Sequence, residues 1–208
     1  MNLITIVCIA LIAIMAIFQL NHITKRKKIS DHLVELVTQQ KFSELYDAVN
    51  QPTTIKYIPE YNRHFLCMNA ALIENNNERI IHYFDLLSKL NLNSAQKKAV
   101  YMRGLQYFIA TQDTAHCKMC YEALKGMEMD ESTKQYLDEI NDILILKNND
   151  KLNDLLSRIE SNSSNEVFMD EFLVAEIYRN MNNDDKFNEY SNKAKQHMEK
   201  YINLAKHK

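Results

Sequence analysis

Residues 60–90, EYNRHFLCMNAALIENNNERIIHYFDLLSKL, contain two apolar-periodic stretches joined by a short polar turn, NNNE at positions 75–78. On each side of this turn, apolar residues recur every three or four positions, which is the spacing of one face of an α-helix. Asparagine accepts left-handed backbone conformations and caps a following helix, so the turn suits a tight connection. The stretch therefore predicts a helical hairpin, with helices over residues 60–75 and 77–90.

Four further polar turns resemble this one and lie at residues 38–41, 111–114, 147–150 and 181–185. When the segments are aligned on the five turns, three positions are apolar in every segment. These columns are Phe42, Ile80, Cys117, Leu152 and Phe187, then Val49, Leu87, Leu124, Ile159 and Ala194, and finally Leu33, Ala71, Phe108, Ile143 and Tyr178. A repeat of roughly 36 residues with two helices predicts an α-helical-hairpin solenoid.

The remaining predicted hairpins follow from the same alignment. Their helix pairs are 31–39 with 41–50, 94–111 with 113–126, 132–147 with 150–161, and 166–181 with 184–206. Both prolines fall in residues 51–59, which are predicted to be an irregular link. Only two glycines occur, Gly104 and Gly126, and this scarcity favours an all-α chain. It also excludes a phosphate-binding P-loop and a dinucleotide fingerprint, which need clustered glycines.

The N-terminal run LITIVCIALIAIMAIFQL, residues 3–20, is long and apolar enough to predict a transmembrane helix. Only Met1 and Asn2 precede it and no small-residue cleavage site follows, which disfavours a cleaved signal peptide; a buried helix of a soluble fold is the other alternative. Four bases come after the run, namely Lys25, Arg26, Lys27 and Lys28. They predict an outside N-terminus, a cytoplasmic C-terminal domain and contact with anionic lipid. The expected division is an anchor over 1–28 and a repeat domain over 29–208.

The charge distribution argues against nucleic acid as a partner. Four of the 25 bases and none of the 27 acids lie in residues 1–30, which leaves 21 bases and a net charge of −6 for the remainder. A domain that binds phosphate backbones needs a basic surface instead.

Two small clusters are candidate chemical sites. The sequence HCKMC places Cys117 and Cys120 on one helix face beside His116, but a zinc site needs about four ligands and no second cysteine pair exists. His82 and Asp85 lie three residues apart, with no nucleophile or metal motif to accompany them. Both clusters are therefore interpreted as structural, and we expect no enzyme activity, cofactor or metal.

The period, the helix–turn–helix organisation and the apolar columns over residues 31–206 resemble the tetratricopeptide repeat family. The family's small first-helix residue is matched by Ala175, whereas Met68, Leu105 and Ile140 stand there in other repeats. Other helical-hairpin solenoids remain open. The resemblance implies a concave face that binds a protein or peptide. On that face it places the polar first-helix residues Asn69, Arg103, Gln106, Asp142 and Arg179.

These features together predict a single-pass membrane protein whose repeat domain acts as an interaction scaffold or adaptor. A peptide-responsive regulatory sensor is an alternative within the binding functions. An accessory enzyme with an unrecognised site is the alternative from another class.

Overall fold

The structure, a computed structural model, describes the backbone of residues 3–161 and 167–206 and the side chains of residues 19–161 and 167–201. In this described part every regular element is helical and no strand occurs, which confirms the all-α prediction. The elements are α1 (Leu3–Thr38), α2 (Phe42–Val49), α3 (Pro52–Tyr57), α4 (Glu60–Glu74), α5 (Asn77–Ser88), α6 (Ser94–Ala110), α7 (Thr114–Leu124), α8 (Glu131–Ile140), a π-helical turn (Asn141–Ile145), α9 (Leu152–Ser161), α10 (Phe168–Asn180) and α11 (Asp184–Lys206).

The chain divides into two compact units, Met1–Val100 and Tyr101–Lys208. In the first unit α4 packs against α5, and α2 packs against α1 and α4. In the second unit α10 packs against α9, α11 and the π-helical turn. The predicted repeat domain, residues 29–208, spans both units.

Each of the five predicted turns contains one residue in the left-handed backbone conformation, with φ between 55° and 59°. These residues are Gln40, Asn75, Gln112, Lys147 and Asn182, and successive ones lie 35 or 37 positions apart. In four turns the N–H of the following residue donates to a carbonyl five residues earlier at 2.9–3.0 Å, which is how a Schellman motif ends a helix. The described helix–turn–helix succession is thus compatible with a helical repeat fold.

The side chain after the left-handed residue caps the next helix in three of the turns. Asn76 Oδ1 accepts from Arg79 N–H at 3.2 Å, and Asp113 Oδ1 accepts from His116 N–H at 3.1 Å. Asn183 Oδ1 accepts from the N–H of Lys186 at 3.1 Å. The polar turns therefore supply both the stop and the start signals that their composition predicted.

The three apolar columns lie inside the packed helices. Ten of their fifteen residues are buried and the other five are half-buried, so none faces solvent fully. The first-helix position that Ala175 fills in the last hairpin is equally enclosed in the others, because Met68, Leu105 and Ile140 are at most 1% exposed. Larger residues at this position are thus accommodated by packing.

The N-terminal prediction is wrong. In the part of the chain that the structure describes, no helix combines the length and the apolar character needed to cross a membrane. The run 3–20 is the first half of the 36-residue helix α1, whose residues 19–28 are exposed and include the four bases. The side chains of residues 3–18 lie outside the described residues. The transmembrane fold class, the single-pass location and the cytoplasmic orientation are all corrected by this finding.

Two local features of the structure were not predicted from the sequence. The link 51–59 contains the short helix α3, with Pro52 at its first position, where the missing N–H costs nothing. The first helix of the fourth predicted hairpin, α8, widens at its end into the π-helical turn, in which Leu146 N–H donates to Asn141 O at 2.9 Å. Ile143 O in this turn accepts from Asn180 Nδ2 at 2.8 Å, so α10 supplies a hydrogen bond to the widened backbone.

Candidate functional site

Two neighbouring cavities lie in the second unit, and α10 lines both. The first has a volume of about 440 Å³ and takes its other walls from α6, α8 and α9. The second has a volume of about 330 Å³ and takes its other walls from α6, α8 and α11. Tyr136 and Met169 line both cavities, so the two are adjacent, and we call the pair the α10 groove.

The second cavity supplies the apolar part of the α10 groove. Its apolar walls are Ile109, Ala110, Tyr136, Phe168, Met169, Phe172, Ala194 and Met198. Gln106 and Lys195 are the polar side chains on its lining. Met198 remains 41% exposed and Phe168 and Phe172 are half-buried, so these walls are open to an approaching partner.

Helical spacing explains why these side chains converge. Phe168 and Phe172 are four residues apart on α10, and Ala194 and Met198 are four apart on α11, so each pair lies on one helix face. Because α10 and α11 pack against each other, the two faces form adjacent walls. Because Ala110 and Ala194 carry small side chains, the space between these two residues stays open.

The first cavity supplies the charged part, which centres on Arg158. Its Nη1 donates to Glu139 Oε1 at 2.9 Å, and its Nη2 donates to Glu139 Oε2 at 3.0 Å and to Asp170 Oδ1 at 2.7 Å. Gln135 Nε2 also donates to Glu139 Oε1 at 2.9 Å. We call Glu139, Arg158 and Asp170 the Arg158 cluster; it holds two carboxylates against one guanidinium.

The two carboxyl groups of the Arg158 cluster have opposite pKa shifts. Burial by itself raises the pKa of Glu139, but the hydrogen bonds from Arg158 and Gln135 outweigh it and lower this pKa. Burial also raises the pKa of Asp170; here the nearby Arg158 charge only partly offsets it, and the like charge of Glu139 adds to it. Asp170 is therefore the carboxyl group whose negative charge is less well compensated.

Tyr136 lies at the junction of the two cavities. Burial raises its pKa to about 12, so its hydroxyl keeps the proton at neutral pH. The α10 groove thus combines aromatic and aliphatic walls with an acidic end. Such a surface can bind a chain segment through apolar burial and ion pairing.

The five predicted groove residues take different positions. Gln106 lines the apolar part of the α10 groove, and Arg103 is exposed on the same helix. Asp142 pairs with Lys151 at 3.4 Å, and Arg179 pairs with Glu176 at 3.0 Å and stacks over the Phe187 ring at 4.1 Å. Asn69 belongs to the first unit, where its Nδ2 donates to Phe65 O at 2.9 Å. No observation tests whether these residues contact a partner, so their assignment stays a prediction.

Sequence reasoning missed the Arg158 cluster. A usable signal existed at Asp170, because it lies inside the apolar stretch 167–177 that becomes the most buried part of α10. Glu139 likewise directly precedes the fully buried Ile140 and is itself 4% exposed. A charged residue at such a position must find a partner, and nothing in the local sequence identified Arg158 as that partner.

The HCKMC cluster is part of the packing. Cys117 and Cys120 are both buried, and burial raises the pKa of Cys117 to about 11, which suppresses its thiolate. His116 stacks on Phe108 with ring centroids 4.4 Å apart, and its Nδ1 lies 2.6 Å from Asp113 Oδ2. Among the described residues, no three His, Cys, Asp or Glu side chains are grouped so that they could hold a metal. His82 is exposed and its ring meets the Tyr83 ring edge-on at 5.1 Å.

No protein-family model, curated protein or solved structure matches the chain. The likeness to tetratricopeptide repeats accordingly rests on the helical hairpins, their period and their turns. What the structure shows is an all-helical chain compatible with a helical repeat fold.

Proposed function

We propose that this chain is a protein-interaction module, a scaffold or adaptor of the tetratricopeptide-like kind, and that the α10 groove binds a segment of its partner. The observation that supports this most is the apolar part of the groove. It exposes aromatic and methionine side chains within a concave surface between helices. A few anchor side chains, often aromatic, seated in such pockets supply most of the binding energy of a protein interface.

The shape of the α10 groove fits an extended or helical segment rather than a flat surface. Its walls come from several helices of the second unit, so a segment lying along α10 contacts all of them. A helix laid in a groove of this kind presents side chains at positions i, i+3 or i+4. The predicted residue Gln106 lies at this surface and provides an amide for hydrogen bonding to such a segment.

A peptide-display selection on the full-length chain tests the proposal. Random peptides of about 12 residues are selected against the protein. Enriched clones are then measured against two variants, Ala110→Trp and Ala115→Trp. Ala110 is exposed and lines the apolar cavity, whereas Ala115 is exposed on α7 and does not line it. The tryptophan at position 110 fills the groove, and the one at position 115 is the matched control.

We expect the enriched peptides to lose roughly tenfold or more in affinity on Ala110→Trp and to keep their affinity on Ala115→Trp. Circular dichroism of both variants checks that they remain folded. A selection that enriches no peptide, or only peptides bound equally by both variants, overturns the assignment of the α10 groove as a recognition site.

A further inference from the structure

We propose that the partner segment carries a basic side chain that pairs with Asp170 and Glu139, next to an apolar side chain seated against Phe168 and Phe172. This inference rests on the proposed function and specifies the chemistry of its partner. The recognised feature is thus an amphipathic segment with neighbouring apolar and basic residues.

The charge balance of the Arg158 cluster is the first step of the argument. Two carboxylates face one guanidinium in a cavity wall, so the cluster has a net charge of −1 when all three groups are ionised. The Nη2 group of Arg158 is shared, because it donates both to Glu139 Oε2 and to Asp170 Oδ1. A second cation beside Asp170 would complete the pairing.

The protonation behaviour of Asp170 agrees with this shortage of positive charge. Burial and the like charges of Glu139 and Asp154 together raise its pKa above the ordinary aspartate value despite the proximity of Arg158. A bound cation would favour the ionised form of Asp170 and so lower this pKa. Ligand binding and deprotonation of Asp170 are therefore expected to favour each other.

The arrangement also excludes an anionic ligand at the same place. Arg158 directs both Nη groups at its own carboxylates, and its Nε is buried within the protein. An acidic side chain entering the first cavity would meet Glu139 and Asp170 without a guanidinium turned towards it. Like charges in a partly desolvated site repel strongly, so acidic segments are rejected.

The relative position of the two cavities sets the spacing in the partner. Both cavities include Tyr136 and Met169, so they are adjacent, and a segment that fills both is expected to present the apolar and the basic side chain on one face. In a helical segment this means a separation of three or four residues. Lys195 lines only the apolar cavity, and its charge disfavours a base at that end. The base is thereby directed to Asp170.

A matched set of labelled helical peptides tests the inference by fluorescence anisotropy. Each peptide has two leucines four residues apart. A variable residue stands either three positions before the first leucine or three positions after the second, so that both orientations of the peptide are tested. The variable residue is Lys, Gln or Glu. The proteins are the full-length wild type, Asp170→Asn, and Asp47→Asn as the control. Asp47 is an exposed aspartate of α2 that does not line either cavity.

We expect the Lys peptide to bind the wild type roughly tenfold more tightly than the Gln peptide, and the Glu peptide to bind most weakly. Asp170→Asn should bring the ratio between the Lys and Gln peptides close to one, while Asp47→Asn should leave it unchanged. Both variants are isosteric, and binding of the Gln peptide to each checks that the groove is intact.

The outcomes separate this inference from the function it rests on. Equal affinities for the Lys and Gln peptides overturn the assignment of a basic partner, while loss of both on Ala110→Trp leaves the interaction function standing. Spermine serves as a free cation. If spermine binds with the same Asp170 dependence and no leucine-bearing peptide does, the occupant is a small cation and the peptide assignment is overturned.

Discussion

An arginine and a carboxylate meet in each unit, but the two clusters differ in balance and in surroundings. In the first unit Arg79 Nη1 donates to both oxygens of Glu74 at 3.0 and 3.1 Å. The hydroxyl of Tyr46 donates to the same carboxylate at 3.0 Å, and the Arg79 guanidinium lies 4.1 Å from the centre of the Tyr46 ring. Here one cation meets one anion, and an aromatic ring covers the pair.

The Arg158 cluster instead places two carboxylates against one cation on the wall of a cavity. Its charges are also less exposed, since the Glu139 side chain is 6% exposed whereas the Glu74 side chain is 27% exposed. A balanced and covered pair is typical of a structural role in joining helices. An unbalanced cluster beside an open groove is the arrangement expected of a recognition site.

The largest loss of stability should come from substitutions in the apolar columns, which have members in both units. Leu87 in the first unit and Leu124 in the second occupy the same column, and both are 0% exposed. Replacing either by alanine should cost about 2–5 kcal/mol of unfolding free energy, because it leaves a cavity in a packed core. Denaturant titration measures the loss. Ile73→Ala, at a 54% exposed position, should stay within about 0.5 kcal/mol, and a similar loss there would contradict the role of the column.

The second effect compares the two arginines directly. Arg158→Met leaves Glu139 and Asp170 without their cation and should destabilise the protein by about 2–4 kcal/mol, since one carboxylate is almost fully buried. Arg79→Met should cost only about 0.5–1 kcal/mol, because the Arg79 side chain is 41% exposed. The same denaturant titration applies to both variants. Equal losses would show that the difference between the clusters has no energetic consequence.

The third and smaller effect is the pH dependence of the unfolding free energy that arises from the Arg158 cluster. The lowered pKa of Glu139 means that its ionised form stabilises the fold above its ordinary pKa, and that this stability is lost as the pH falls through the lowered value. The raised pKa of Asp170 means the reverse, so its protonated form favours the fold and stability is lost as the pH rises through the raised value.

Two isosteric variants separate these contributions when stability is measured between pH 3 and pH 7. Glu139→Gln should be less stable than the wild type at pH 7, and the deficit should shrink as the solution is acidified below about 4. The stability of Asp170→Asn relative to the wild type should instead increase as the pH rises. If both variants follow the same trend, the two carboxyl groups do not differ as described.

The smallest effect lies in the turns. Gln112 adopts a left-handed conformation at φ 59°, which costs a side-chain-bearing residue about 1–2 kcal/mol, and glycine avoids this cost. Gln112→Gly should therefore stabilise the protein by about 0.5–1 kcal/mol, offset in part by the flexibility of glycine in the unfolded chain. Asn75→Gly at φ 55° should be near neutral, because asparagine tolerates this region. Lys118→Gly on the exposed face of α7 is the control and should destabilise by about 1 kcal/mol.

Much of the helical organisation was predictable because its signals are local. The hairpin over residues 60–90 was predicted within a few residues, since α4 and α5 end where apolar periodicity gives way to polar turn residues. The left-handed residues themselves were less predictable. Asparagine holds this conformation at Asn75 and Asn182, but glutamine or lysine does so in the other turns. In the two glutamine turns the Schellman hydrogen bonds accompany the conformation, whereas after Lys147 the N–H of Asn148 donates to Asp142 O, six residues earlier, at 2.8 Å.

The N-terminal prediction, which was wrong, rested on the composition of residues 3–20 alone. Residues 3–20 are apolar, but they belong to a helix that continues without interruption to Thr38. In the described side chains of α1, apolar burial is concentrated near its C-terminal end, where Leu33 and Leu36 are 2% and 3% exposed. Helix ends set by packing against α2 and α3 are not visible in a hydropathy profile.

The sequence by itself determined that the chain is a succession of helices joined by polar turns, because helix periodicity and polar turns act over a few neighbouring positions. Only the tertiary structure decided where the α10 groove opens and which charges meet in it. In the sequence Arg158 lies 19 residues from Glu139 and 12 residues from Asp170. The three side chains meet only after α8, α9 and α10 have packed. Contacts between helices depend on the angle and register of packing, and no local pattern of residues encodes either one.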